Sequence, residues 1–141
     1  MNWHELVPDS SSLLPGADQS LLSQIQEQIE VSLPSDFENF LHWRDGGNFA
    51  SNRFGIYSAG KGVHPDETLL SANINRPDDF PLLVVGSDAS EEFGFLKSDL
   101  PCRTCPVYFY LHETEVLDKV ADSWHEFLVW CENQANDHRC K

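Results

Sequence analysis

"FPLLVVGSD", residues 80–88, constrains this chain more than any other stretch. Its apolar run is continuous where a half-buried strand would alternate. A strand with that pattern is covered on both faces, so it belongs in the middle of a sheet. "EFGFLKSD" follows as a second strand, and the intervening "GSDASE" supplies the turn. "RFGIYS", 53–58, reads as an earlier strand. "CPVYFYLHETEVLDKVADS" reads as a hairpin with strands near 107–112 and 116–120.

Helical spacing dominates the two ends. Leu21, Leu22, Ile25 and Ile29 recur on one face and predict a helix over 18–31. Pro34 ends it, and Ser35 with Glu38 forms an S-x-x-E capping box for the next helix. Phe37, Phe40 and Leu41 share its apolar face, while Trp43 points elsewhere and is expected to be partly exposed. Asp45-Gly46-Gly47 then reads as a reactive loop or as a helix stop, since glycine takes the left-handed conformation that closes a helix. "HPDETLLSANIN" permits a short helix on Leu69, Leu70 and Ile74. A second S-x-x-E box, Ser123 to Glu126, opens a closing helix whose Trp124, Phe127, Leu128 and Cys131 line one face. "DSSSLLPG", 9–16, reads as a loop or N-terminal arm, and "ENQANDHRCK" as a polar, fraying tail. The expected organisation is an arm at 1–17, one domain at 18–134 and a tail at 135–141. Its fold class is α+β, a mixed sheet flanked by helices.

Nine Lys and Arg oppose 23 Asp and Glu, for a net charge of −14. The basic residues never form a run. Nucleic-acid binding is therefore disfavoured, because phosphates are repelled and no basic patch offsets the field. The charge reads as plain solubility or, more sharply, as the complement of a positively charged partner. No basic leader or long apolar segment opens the sequence, and the longest apolar runs are too short to span a bilayer, so a cytoplasmic location without membrane binding is expected.

Catalytic patterns are weak. Cys102 and Cys105 have the C-x-x-C spacing of a metal knuckle or redox pair. A zinc ribbon needs a second tight pair, and Cys131 and Cys140 do not form one. A redox pair is expected at a helix N-terminus, whereas this one precedes a strand. A turn pair that binds metal, forms a disulfide or does neither remains open. "HETEV" lacks the second His of a zinc-protease helix, and "GKG" lacks P-loop spacing. No metal, cofactor or catalytic residue is expected. Carboxylates gather in two places: Asp88, Glu91, Glu92 and Asp99, and Glu113, Glu115, Asp118 and Asp122. Each group reads as a solvated acidic face or as a patch that attracts a basic protein.

The order of these pieces resembles the SUKH superfamily, which includes bacterial immunity proteins and fungal cell-wall-assembly regulators of the Smi/Knr type. Four stretches carry the resemblance: "LPSDFENFLHWRDGG", "RFGIYS", "FPLLVVGSDASEEFGFLKSD" and "VADSWHEFLVW". Asp45 stands where the family often has Asn, "SDASEEFG" lacks the family's Gly-Asp turn, and the CRTC segment is outside the pattern. The resemblance makes Asp45-Gly46-Gly47 a helix stop that leads into the first strand. It implies a non-enzymatic immunity protein that binds and blocks a toxin domain, such as a basic nuclease or deaminase. The alternative it implies is a regulatory protein-interaction module. Candidate contacts are Trp43, Asp45, Asp88, Glu91 and Glu92, with the aromatic as anchor and the carboxylates as steering groups.

Overall fold

The computed structural model describes residues 3–7, 13–50, 53–60, 68–74, 76–88 and 90–139. Within the stretches read above, residues 9–12, 61–62 and 64–67, with Asn75, Ala89, Cys140 and Lys141, lie outside the described residues. In chain order the elements are α1 (Trp3–Leu6), β1 (Leu13–Pro15), α2 (Gln19–Ile29), α3 (Ser35–Trp43), β2 (Arg44–Phe49), β3 (Phe54–Ile56), α4 (Leu69–Ile74), β4 (Leu82–Ser87), β5 (Glu92–Leu96), β6 (Val107–Leu111), β7 (Val116–Ala121) and α5 (Trp124–Arg139). The strands form one seven-stranded sheet in sequence order, each antiparallel to the next. The α+β class holds. The sheet is antiparallel rather than mixed, and among the described residues the parallel pairing is the isolated bridge Ser58–Thr68.

β4 is the central strand, and Leu82 to Gly86 along it are buried. Covering both faces demanded its unbroken apolar run. Phe93 and Phe95 on β5 and Phe109 on β6 point to one face, where α3 and α5 pack. Phe93 meets Phe127 at 4.6 Å between ring centroids, and Phe37 meets Trp124 at 4.7 Å. Phe37, Phe40, Phe93, Phe95, Trp124 and Phe127 are all fully buried. Each such ring stabilises the fold by roughly 2 kcal/mol through the apolar area it removes from water.

The ends of the chain differ from the sequence reading. Trp3, Val7 and Leu13 are core residues, and β1 pairs with β2 as an edge strand. Residues 3–7 and 13–15 thus pack with the rest of the fold, and Trp3 meets Phe40 edge-on at 5.5 Å. At the other end α5 continues to Arg139, and Ala135 is buried where a fraying tail was expected.

Helix α3 also starts differently. Ser35 makes no side-chain cap, and Pro34 holds the N-cap position. The backbone carbonyls of Cys102 and Arg103 accept from the N–H groups of Ser35 and Asp36, at 3.3 and 3.1 Å. Those bonds satisfy donors that every helix start leaves unpaired. Glu38 accepts from Gln26 Nε2 at 2.9 Å, so it ties α3 to α2 instead of closing a box. The closing helix does form its serine cap: Ser123 Oγ accepts from the Glu126 N–H at 3.0 Å.

Gly46 and Gly47 are not a helix stop. α3 ends at Trp43, and the extended Arg44 leads directly into β2, which contains both glycines. Their φ values are +80° and +114°. Gly46 must be glycine for a second reason: a Cβ there would stand 2.5 Å from the Ile56 carbonyl oxygen.

Candidate functional site

Side chains alternate across strands. Phe93 and Phe109 face the helices, so Glu92, Tyr108 and Tyr110 face the other way. The strand register puts Glu92, Tyr110 and Leu117 in one row, with Lys119 opposite Tyr108 in the next. Tyr108, Tyr110 and Leu117 are half-buried, and none belongs to the helix-packed core.

The connection between α4 and β4 folds onto this face. Arg76 pairs with the Glu92 carboxylate. Its guanidinium also lies 4.9 Å from the Phe80 ring centroid. Phe80 in turn meets Tyr110 at 5.0 Å, edge to face. Tyr110 meets His112 at 5.1 Å, and His112 Nε2 lies 3.2 Å from the second Glu92 oxygen. The result is a strip of rings, Phe80, Tyr110 and His112, fixed at one edge by Arg76 and Glu92.

Carboxylates stand at the end of this strip. The Asp88 side chain accepts from the N–H groups of Ser90 and Glu91, at 3.0 and 2.8 Å, which sets the β4–β5 turn. Glu91 accepts from the His112 N–H at 2.9 Å. That bond joins the β4–β5 turn to the β6–β7 turn, so Glu113 and Glu115 lie at the same end of the sheet. The described ion pairs are Arg76–Glu92 and Lys119–Asp122, with the His112 ring beside Glu92. Among the described residues, Asp88, Glu91, Glu113 and Glu115 therefore have no cationic partner.

The structure brings Asp88, Glu91 and Glu92 together. Trp43 is elsewhere. It packs against Phe40 at 5.7 Å and under the Arg44 guanidinium at 5.3 Å. The row through Glu92 crosses β2 at Asn48. Trp43 precedes the far end of that strand and lies three strands away, a separation on the order of 20 Å. Asp45 departs further from expectation, because it is a buried residue with 6% exposure and not a rim contact. Its two oxygens accept from the N–H groups of Ala59 and Gly60, at 2.8 and 3.0 Å. Burial pushes its pKa up, and those two hydrogen bonds offset only part of the shift. Asp45 organises backbone; it is not available to a partner.

Sequence reasoning missed Arg76, Phe80, Tyr108, Tyr110, His112 and Leu117. A signal existed for the tyrosines: alternation in "VYFYL" separates them from Phe109. No local signal brings Phe80 onto Tyr110, since that contact depends on how a connection folds back.

Cys102 and Cys105 form a disulfide. Cys131 is fully buried, and burial pushes its thiol well above the ordinary value, which suppresses the nucleophilic thiolate. Among the described residues no group of three or more His, Cys, Asp or Glu is placed to hold a metal ion. No described helix is long and apolar enough to cross a membrane.

No curated protein matches the chain. A family model does match, over residues 16–130, which takes in α2 through β7 and the first two turns of α5. By that match, this chain belongs to the SMI1 / KNR4 family (SUKH-1).

Proposed function

We propose that this domain is a non-enzymatic immunity protein that binds a basic toxin domain, a nuclease or a deaminase, and covers its active site. The carrying observation is the excess of carboxylates over cations at the joined β4–β5 and β6–β7 turns, in a chain of net charge −14. A toxin that works on nucleic acid presents a positive surface. Carboxylates held where phosphates would lie attract that surface and occupy it. The family membership supports a protein-binding domain and no chemistry of its own.

The test is co-expression with basic nuclease and deaminase toxin domains of the source organism. Growth should be restored by one of them, and the purified pair should lose association rate as salt rises. Capture of signalling or cell-wall proteins, with no protection against any toxin, replaces this reading with the regulatory interaction module.

A further inference from the structure

We propose that the sheet face bearing Phe80, Tyr108, Tyr110 and Leu117 docks an arginine-bearing surface of a basic protein. This names the face used by the immunity reading above and rests on it for the partner's biological identity. The chemistry of the face stands on its own.

The first ground is that the helices whose rings pack on the sheet lie on its other face. α3 and α5 pack on the opposite side, through Phe93, Phe95, Phe109 and Trp124. The α4–β4 connection covers one part, through Arg76 and Phe80. Tyr108 and Leu117 extend the surface past it toward the β7 edge. Tyrosine is suited to this place because it offers a rigid ring with few rotors to immobilise, and a hydroxyl that stays wet.

The second ground is charge complementarity. Asp78 and Asp79, beside Phe80, are exposed and make no ion pair among the described residues. Asp88, Glu91, Glu113 and Glu115 stand at the joined turns. Rings with unpaired carboxylates in the adjoining turns suit a cation that also has a flat face. Guanidinium is that cation: it stacks on rings and forks onto carboxylates, whereas an ammonium does neither as well.

The third ground is internal. Arg76 already makes this contact within the chain, with its guanidinium on the Phe80 ring and its nitrogen on Glu92. The face therefore recognises one arginine of its own. Tyr108 and Tyr110, half-buried on the same face, and Glu91, on the His112 N–H at the adjoining turn, offer rings and a carboxylate to a second.

The test uses the full chain, labelled for NMR and titrated with a short oligo-arginine peptide at low salt. Amide shifts should concentrate at Glu92, Tyr108, Tyr110 and Leu117. Tyr108→Ala should weaken binding about fivefold or more, with a dispersed spectrum showing that it folds. Glu27→Lys, on exposed α2, makes a larger charge change and should alter affinity by less than about twofold. An oligo-lysine peptide of equal length should bind about fivefold more weakly. Shifts spread over all acidic residues, equal weakening by Glu27→Lys, or equal binding of lysine each overturn the proposal. If the peptide maps to this face while the chain protects against no toxin, the immunity reading fails and the docking face stands. If a toxin is neutralised but its complex ignores Tyr108→Ala, the docking face fails and the immunity reading stands.

Discussion

Asn73 holds Val84 by both of its backbone groups. Its amide oxygen accepts the Val84 N–H at 2.9 Å, and its nitrogen donates to the Val84 carbonyl at 2.9 Å. β3 pairs with β4 at Gly86 and Ser87, and the Tyr57 N–H reaches the Val85 carbonyl at 2.8 Å, so among the described residues the strand pairing on that side stops short of Val84. One side chain from α4 therefore stands in for a strand. Asn73→Ala leaves a buried N–H and C=O without partners and should cost about 2–3 kcal/mol in urea unfolding. Asn73→Asp keeps the acceptor and loses the donor, so it should fall between. An Ala variant within about 0.5 kcal/mol of wild type would show that water replaces the amide.

Asp45 gives the fold a pH dependence of known sign. Its folded pKa is raised above 3.8 by burial. The folded state therefore binds the proton more tightly than the unfolded state. Its contribution to stability is fully present below 3.8 and is lost as pH rises through the raised folded value. Asp36, whose pKa burial also raises, adds the same trend, so the difference from Asp45→Asn isolates this group. The variant should show a flatter decline over that window. It should also lose stability overall, because an amide can accept from only one of Ala59 and Gly60 through its oxygen. Parallel pH curves for the two proteins would remove Asp45 as a source.

The CRTC disulfide acts on a helix distant in sequence. Cys102 and Arg103 supply the carbonyls that accept from Ser35 and Asp36, and the Thr104 hydroxyl donates to Asp36 at 3.3 Å. Closing so short a loop stabilises the fold by about 2 kcal/mol on the chain-entropy account. Cys102→Ser, or reduction by a dithiol, should lower stability by about that amount. Amide exchange should accelerate at Ser35 and Asp36 first. Unchanged protection at those two amides would mean that the loop holds its shape without the bond.

Gly46 and Gly55 lie on neighbouring strands and predict opposite tolerance. Alanine at Gly46 meets the Ile56 oxygen at 2.5 Å and keeps a φ of +80°. It should cost about 2 kcal/mol or more. At Gly55 a Cβ would meet the Asn48 side chain at 3.2 Å and the Ser87 carbonyl oxygen at an ordinary 3.9 Å, and the backbone needs no left-handed conformation. That substitution should lie within about 1 kcal/mol of wild type. Comparable losses at both positions, by thermal unfolding, would refute the assignment of strain to Gly46.

Much of the fold was legible because its signals are local. The apolar run of β4, the alternation of β5 and β6, and the helical faces of α2, α3 and α5 each follow from neighbours within a few residues. The Ser35 box failed for a non-local reason: a loop nearly seventy positions later supplied better acceptors. Gly46 and Gly47 misled because a left-handed glycine serves a helix stop and a distorted strand equally well. The same limit hid most of the candidate site. Asp88, Glu91 and Glu92 are close in sequence and were grouped, while Asp45 looked like one of them until burial separated it.

The sequence by itself determined the class of elements, the placing of β4 at the centre and an acidic character that disfavours nucleic acid. These depend on side-chain period, hydrophobicity and formal charge, which any chain segment carries with it. Only the tertiary structure decided which carboxylates stay unpaired, which aromatic rings leave the core and which turns meet. Those outcomes depend on contacts between residues far apart in the chain. Glu92 is balanced because Arg76 folds back to it, and Tyr110 joins a surface because Phe80 does the same.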